Sequence, residues 1–237
     1  MPRTVAELKK AAAAFMNRDE SAFIRASFDN LLQACNNARL YVERTVNLEL
    51  ARVAATVSVS LTSGGALSTA VLTGTATAVS VKHIRSAGLA LADSANTIVP
   101  IKIYNRDDYL NRIKRRFDGV GLSSENLEYT NLPIGMFRLA NTVYVVPSDP
   151  TVLGASTITL HMDVFKWMTE YTTGSETDFL LDYCFDYMLY RVVSEMNYFT
   201  KEDQRTALAS KVVQDAWESL KAWNAAIVEQ SDDVTLD

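Results

Sequence analysis

The chain contains few cysteines and few histidines, which limits the kinds of site it can build. Its 237 residues include only two cysteines, Cys35 and Cys184, and two histidines, His83 and His161. Two cysteines so far apart match neither a disulfide framework nor a zinc motif, which indicates folding in a reducing compartment. The histidines lack the spacing of a metal-binding pair, and each lies in a strand pattern. We therefore expect no metal site, no cofactor and no catalytic residues.

The chain also lacks an excess of positive charge. It carries 23 Lys and Arg residues against 28 Asp and Glu residues, a formal net charge of −5. Dedicated nucleic-acid-binding proteins usually show a basic excess, because affinity for the phosphate backbone is electrostatic. The strongest basic cluster is residues 112–117, RIKRRF. We interpret it as a solvated helix face, with a phosphate-facing role as the alternative.

Long apolar runs are absent as well. No uninterrupted run approaches the ~18 residues of a membrane-spanning helix, and the first twenty residues carry charges where a signal peptide needs an apolar segment. We therefore expect no membrane association. The composition, 48% hydrophobic and 22% charged, is that of an ordinary globular protein with a substantial core.

Two helices are predicted at the start of the chain. Thr4 and Glu7 form a capping-box pattern before a short first helix. A longer helix is predicted from about Glu20 to Glu49, because apolar residues recur three and four apart. That apolar seam is Ile24, Phe28, Leu31, Cys35, Ala38 and Val42. The polar residues that fall mostly off the seam are Asn36, Asn37, Arg39, Glu43 and Arg44.

The middle of the chain is predicted to be β-rich. Residues 53–61 and 157–164 alternate apolar and polar positions, and a further strand fits residues 97–104. Valines 71, 79 and 81 favour strands joined at Gly64–Gly65 and near Gly74. A hairpin is predicted around Ala140–Asn141, ending at Pro147. Asn105 is expected to cap a short helix near residues 106–117.

Helices are predicted again from about Thr177, where Ser175 and Asp178 have capping-box spacing. One helix should end near Phe199, and a last helix should fade near Gln230 before an acidic tail, residues 231–237. The expected fold is α+β, with N- and C-terminal helices packed as a bundle that clasps a sandwich- or barrel-like middle. The expected domains are residues 1–50, 51–172 and 173–230, the first packing with the third.

One helical stretch, residues 178–199, is apolar on nearly every side. Tyr183, Tyr187 and Tyr190 form one stripe, and Cys184, Met188 and Val192 form another. Two apolar faces need two partners, and tyrosine is enriched at interfaces. We therefore interpret the tyrosine stripe as an oligomer interface, with internal three-helix packing as the alternative.

Two carboxylates, Asp182 and Asp186, lie one helical turn apart in this stretch. They form either a polar strip paired with Arg or Lys from a neighbouring element, or a cation or acid–base site. The second interpretation would make the protein a metal-dependent enzyme. No other residues of the sequence converge with these carboxylates, so the structural interpretation is preferred.

The order of these parts resembles that of the head-to-tail adaptor (connector or neck) proteins of tailed bacteriophages. The resemblance rests on the apolar and aromatic helix within residues 174–199, the FTKEDQR break at 199–205 and a last helix carrying Trp217 and Trp223. The hairpin at 137–150 and the helix at 28–47, which contains Glu43–Arg44, also match the pattern. The sequence departs from the pattern in residues 62–97.

The resemblance implies a structural virion protein without catalytic activity. Such adaptors are made in the host cytoplasm and form a ring, usually of twelve copies, beneath the portal protein at the head–tail junction. The ring presents a surface to the tail, tail-tube or nozzle protein, and DNA passes through its lumen without sequence-specific binding. Another virion ring component, such as a tail-completion or minor capsid protein, is the alternative.

Family members often dock on the portal through a C-terminal extension. In this chain the corresponding residues would be Ile227, Val228, Val234 and Leu236. The ring hypothesis also predicts that alanine substitutions at Tyr183 and Tyr187 weaken ring assembly more than they weaken folding.

Overall fold

The computed structural model describes residues 3–25, 28–60, 68–72, 80–90, 98–105, 107, 135–146, 156–200 and 204–232. The chain divides into two compact units. The first comprises Met1–Leu50 and Met168–Asp237, and the second comprises Ala51–Trp167. The boundaries predicted from the sequence lie after residues 50 and 172.

Helix α1, Val5–Phe15, begins at the predicted capping box. The Thr4 hydroxyl accepts a hydrogen bond from the Glu7 backbone N–H at 3.3 Å, and the Thr4 N–H donates to Glu7 Oε2 at 2.9 Å. These bonds satisfy backbone donors that have no partner inside the helix. The buried face of α1 is Val5, Leu8, Ala12 and Ala13. The predicted first helix is therefore confirmed.

Helix α2 spans Asn30–Thr45, so the helix predicted from about Glu20 to Glu49 was too long at both ends. Residues Glu20–Phe23 form a 3-10 turn, and two short strands, β1 (Ile24–Arg25) and β2 (Phe28–Asp29), pair antiparallel. Ile24 and Phe28 are 50% and 54% exposed, so they do not belong to the buried seam. The helix begins where Asp29 caps it by accepting from the Leu32 N–H at 3.0 Å. The predicted helix began too early because Ile24 and Phe28 continue the helical spacing, whereas the N-cap Asp29 sets the actual start.

The predicted helix from Thr177 to Phe199 is interrupted. The structure has a short α3, Phe179–Tyr183, and a separate α4, Phe185–Thr200, with Cys184 between them outside helical geometry. The N-cap is Asp178, whose Oδ1 accepts from the Leu181 N–H at 2.9 Å, and not Ser175, the cap expected from capping-box spacing. Ser175 instead bonds to Thr173. The end of α4 agrees with the predicted end near Phe199.

Helix α5, Gln204–Asp232, ends two residues beyond the expected Gln230. Within the first unit, α4 packs against α1, α2 and α5. The helices from the two ends of the chain therefore share one core, which includes Leu31, Val42, Leu180, Met188 and Met196.

Among the described residues, the second unit is built on a seven-stranded sheet with the order β3-β9-β5-β6-β7-β8-β4. Neighbouring strands are antiparallel except β6 and β7, which are parallel. The sheet curls, so that β3 and β4 at its two edges lie near each other. The strands are β3 Arg52–Ser60, β4 Ser68–Val71, β5 Val81–Ala90, β6 Ile98–Tyr104, β7 Gly135–Leu139, β8 Thr142–Val146 and β9 Thr157–Lys166.

The core of this sheet follows the alternation seen in the sequence. Both predicted strands are confirmed, and their predicted inward residues are buried except Val53, which is partly buried, and Leu61, which lies outside the described residues. They meet across the ladder, for example at Val57 opposite Leu160. The core positions on these two strands are Ala55, Val57, Val59, Ile158, Leu160, Met162 and Val164.

The predicted hairpin is formed by β7 and β8 with Ala140–Asn141 at its turn. Ala140 has a positive φ of 51°, a conformation that costs a non-glycine residue free energy. Arg138 supports the turn by donating to the Ala140 carbonyl at 2.6 Å. The expected strand at 97–104 is present as β6. The joins at Gly64–Gly65 and Gly74, and the expected helix at 106–117 apart from residue 107, lie outside the described residues.

Candidate interaction site

A cleft of about 580 Å³ lies in the first unit, between the α3–α4 junction and α5. We call it the aromatic cleft. Its volume falls in the ~300–1,000 Å³ range typical of small-molecule sites. Its lining residues are Arg3, Asp182, Tyr183, Cys184, Phe185, Asp186, Tyr187, Tyr190, Val212, Ala216, Ser219, Leu220 and Trp223.

The three predicted interface tyrosines all line the aromatic cleft, but they do not share one exposed face. Tyr183 is 68% exposed and stacks on Trp223, with the ring centroids 5.7 Å apart. Tyr187 is only 2% exposed. Tyr190 is half-buried and meets Phe15 edge-on at 5.8 Å. The stripe is disrupted because the helix breaks at Cys184, between Tyr183 and Tyr187.

The buried position of Tyr187 changes how the interface hypothesis can be tested. Its ring packs on Trp217 with the centroids 5.4 Å apart, inside the unit's own core. A substitution there will disturb folding before it disturbs any contact with another chain. Of the three tyrosines, Tyr183 presents the most surface to a partner, and its role at an oligomer interface stays a prediction.

Asp182 and Asp186 both lie at the aromatic cleft and are both exposed. Asp182 Oδ1 accepts a hydrogen bond from the backbone N–H of Arg3 at 2.8 Å. The Arg3 guanidinium lies over the Phe185 ring, 4.3 Å from its centroid. Among the described residues, no group of three or more His, Cys, Asp or Glu side chains is arranged to hold a metal ion.

A cluster of aromatic and charged side chains lies beside the cleft, around Tyr187. Trp217 contacts both Tyr187 and Tyr41, and the Arg191 guanidinium lies 4.4 Å from the Tyr41 ring centroid. Arg191 also pairs with Glu195 at 2.5 Å. The Tyr187 hydroxyl is buried and has no hydrogen-bond partner among the described residues. Burial raises the pKa of Tyr187 well above its usual value, so the ring stays neutral.

The residues expected to dock on a portal are described only in part. Ile227 and Val228 lie near the end of α5 and are half-buried. Val234 and Leu236 lie outside the described residues, as does the basic cluster at 112–117. The docking expectation therefore stays a prediction.

Sequence reasoning missed a set of buried polar contacts between α2 and the segment 168–178. Asn36, Arg39 and Glu43 were placed mostly off the buried seam, but they are only 5%, 4% and 3% exposed. Arg39 pairs with Glu43 at 2.7 Å and donates to the Met168 carbonyl at 2.9 Å. Their partners in the segment 168–178 lie more than a hundred residues away in sequence, so no local pattern could have identified those contacts.

The first turn of α1 also bonds to the segment 168–178. The Ala6 N–H donates to the Gly174 carbonyl at 2.8 Å, and the Val5 N–H donates to the Glu176 carbonyl at 3.1 Å. These are backbone donors that lack partners within the helix. The segment 168–178 is therefore held between α1 and α2 by directed hydrogen bonds.

The cysteines and histidines occupy ordinary structural positions. Cys35 and Cys184 are free and buried, and burial raises the pKa of Cys35 to about 12 and that of Cys184 to about 11. His83 is exposed on β5 and stacks on Phe165 at 6.2 Å, and His161 is half-buried on β9.

Within the described part of the chain, no helix is long and apolar enough to cross a membrane. No protein-family model matches the chain, and no curated protein matches it.

Proposed function

We propose that the protein is a structural component of a tailed-phage virion, a head-to-tail adaptor that forms a ring beneath the portal. The observation that carries this proposal is the pairing of the chain's two ends. Helices α1 and α2 pack on α4, while residues 51–167 between them form a separate β unit. This is the order of parts that the resemblance to adaptor proteins implies.

The exposed aromatic surface of the first unit supports assembly. Tyr183 is 68% exposed although it is a large aromatic residue, and Trp223 stacks beside it. Tyrosine and tryptophan are enriched at protein interfaces because they bury large areas while keeping a polar group bonded. In the ring, this surface would be covered by a neighbouring protein chain.

The charge of the chain is compatible with a DNA channel that does not bind its cargo. The formal net charge is −5. Proteins hold DNA mainly by neutralising its phosphates, so a net acidic ring gains little from that interaction. DNA passing through the lumen would therefore not be retained.

The test is the native mass of the purified protein, alone and mixed with the portal protein from the same genome. The proposal expects a complex of about twelve subunits in at least one sample, visible as rings by negative-stain microscopy. A monomer in both samples would overturn the portal-adaptor role. If the protein then bound a tail-completion or minor capsid protein instead, the alternative virion roles would replace it.

A matched variant tests whether the observed ring uses the exposed aromatic surface. Tyr183→Ala should lower the fraction of assembled ring while leaving the unfolding midpoint of the subunit nearly unchanged. Tyr144→Ala is the control, since Tyr144 belongs to the other unit, where it stacks on Phe137, and is not part of the Tyr183–Trp223 surface. Equal loss of assembly in both variants would count against the surface.

A further inference from the structure

The aromatic cleft combines two chemical features that favour a positively charged ligand. Its walls carry five aromatic side chains, whose ring faces attract cations: Tyr183, Phe185, Tyr187, Tyr190 and Trp223. Its charged lining residues are Arg3, Asp182 and Asp186, which leaves one net negative charge. Aromatic walls with carboxylates beside them bind cations through both ring faces and ion pairing.

Arg3 already shows how this surface holds a guanidinium. Its guanidinium lies 4.3 Å from the centroid of the Phe185 ring, while its backbone N–H donates to Asp182 Oδ1 at 2.8 Å. The guanidinium of the chain's own arginine therefore lies on an aromatic wall of the cleft, while the Asp182 carboxylate accepts from the main chain of the same residue.

Other lining residues supply a further aromatic surface and a further carboxylate. Tyr183 and Trp223 stack 5.7 Å apart, and Tyr183 is 68% exposed. Asp186, in the first turn of α4, is also exposed. Among the described residues, Asp186 takes part in no hydrogen bond or ion pair.

We propose that the aromatic cleft receives the guanidinium of an arginine presented by a partner protein, held between the Tyr183–Trp223 stack and Asp186. A guanidinium fits better than an ammonium because it is planar, stacks on aromatic faces and offers several donors to a carboxylate. An anionic ligand would meet the two exposed carboxylates. The inference does not depend on the adaptor role, since the cleft lies within one subunit.

The ligand is assigned to a protein rather than to free arginine because of charge. Free L-arginine carries an α-ammonium and an α-carboxylate, and both lose hydration when they are brought against the aromatic walls, which costs free energy. An arginine inside a chain has neither charge, so its side chain can enter the cleft without that penalty.

The experiment is an NMR titration of the full-length protein that follows the indole N–H signals of its three tryptophans. Trp223→Phe assigns the Trp223 signal by its disappearance. The probe is N-acetyl-arginine amide, which mimics an arginine within a chain. The uncharged comparison is N-acetyl-citrulline amide, which has nearly the same shape. A third probe is free L-arginine.

The expected result is a saturable shift of the Trp223 indole signal by N-acetyl-arginine amide, with a dissociation constant of about 1 mM, as suits so small a ligand. The citrulline compound should cause no saturable shift, and free L-arginine should bind more weakly. No saturable shift with the arginine amide, or an equal shift with the citrulline compound, would overturn the proposal. Tighter binding of free L-arginine would overturn its assignment to a protein partner.

Two matched variants test whether the Asp186 carboxylate contributes to binding. Asp186→Asn should weaken binding about threefold to fivefold, the range expected for one exposed ion pair. Asp215→Asn removes an exposed acid on α5 that does not line the cleft, and it should leave the affinity unchanged. Equal effects of both variants would show only a general dependence on surface charge and would overturn the site. Both residues are exposed, so neither variant is expected to disturb folding.

Discussion

The side chain of Asn36 bonds both backbone polar groups of Tyr171. Asn36 Nδ2 donates to the Tyr171 carbonyl at 2.9 Å, and Asn36 Oδ1 accepts from the Tyr171 N–H at 2.9 Å. An amide side chain on helix α2 thus replaces the pair of bonds that a neighbouring strand would make. Nearby, Glu43 accepts from the Met168 N–H, and Arg39 donates to the Met168 carbonyl. Helix α2 therefore fixes the segment 168–178 through buried polar groups.

Replacing Asn36 should destabilise the first unit. Asn36→Ala leaves the N–H and the carbonyl of Tyr171 buried without partners, which should cost about 2–3 kcal/mol. Asn37→Ala on the same helix is the control, because Asn37 is exposed and bonds only to Gln33 among the described residues. It should change stability by less than about 0.5 kcal/mol. Urea unfolding followed by the helical circular-dichroism signal measures both, and equal losses would contradict a special role for Asn36.

The carboxylate of Glu176 should make stability depend on pH. Desolvation tends to raise its pKa, but hydrogen bonds from Thr172, Thr173 and the Gly174 N–H surround the carboxylate. Together with its own backbone N–H, these donors outweigh desolvation and lower the pKa well below the ordinary value of 4.5. Because the folded-state pKa is depressed, this stabilisation is present above pH 4.5 and is lost as the pH falls toward the folded-state value.

The variant Glu176→Gln measures the contribution of the Glu176 carboxylate to the stability of the protein. The difference in unfolding midpoint between wild type and variant should be constant between about pH 6 and 8 and should shrink below about pH 4. Glu170→Gln is the control, since Glu170 is an exposed acid in the same segment. A difference that grew on acidification would contradict the predicted sign.

Tyr187 and Tyr183 should contribute very differently to the stability of the isolated subunit. Tyr187→Ala removes a buried ring that packs on Trp217 and should cost about 3–5 kcal/mol of subunit stability. Tyr183→Ala should cost less than about 1 kcal/mol, because the side chain is largely exposed. Urea unfolding of the isolated subunit gives both values. A large loss at Tyr183 would mean that its stack on Trp223 is structural.

Both thiols should react slowly in the native protein. Burial raises the pKa of Cys35 to about 12 and the pKa of Cys184 to about 11, so the reactive thiolate is scarce near neutral pH. The rate of reaction with a chromogenic disulfide reagent is measured on the single variants Cys35→Ser and Cys184→Ser. Each variant keeps one thiol, so the two rates are obtained separately. Cys184 should react before Cys35, because it is 8% exposed and Cys35 is fully buried. Rapid reaction of Cys35 in the folded protein would contradict its burial.

Much of the secondary structure could be predicted because its signals are local. Thr4 and Glu7 stand three residues apart and cap α1 as expected. The alternation in β3 and β9 identified the buried face of each strand, and Ala140–Asn141 identified the hairpin turn. In each case the residues that decide the structure are within a few positions of one another.

The candidate site was predicted less well. The sequence identified the tyrosines and both carboxylates that line the aromatic cleft, but it placed them on one continuous helix. The break at Cys184 separates Tyr183 from Tyr187, and it left one ring exposed and the other buried. Arg3 and Trp223 come from distant parts of the chain, so the sequence alone could not place them at the same cleft.

By itself, the sequence determined an α+β protein with helices at both ends and strands between them, because capping and periodicity act over short distances. Only the tertiary structure decided which polar residues of α2 are buried, since Asn36 meets a residue 135 positions away. It also decided the order of the strands, which places β9 between β3 and β5. Such contacts form only when distant segments of the chain come together, so the pattern within a short stretch of sequence does not reveal them.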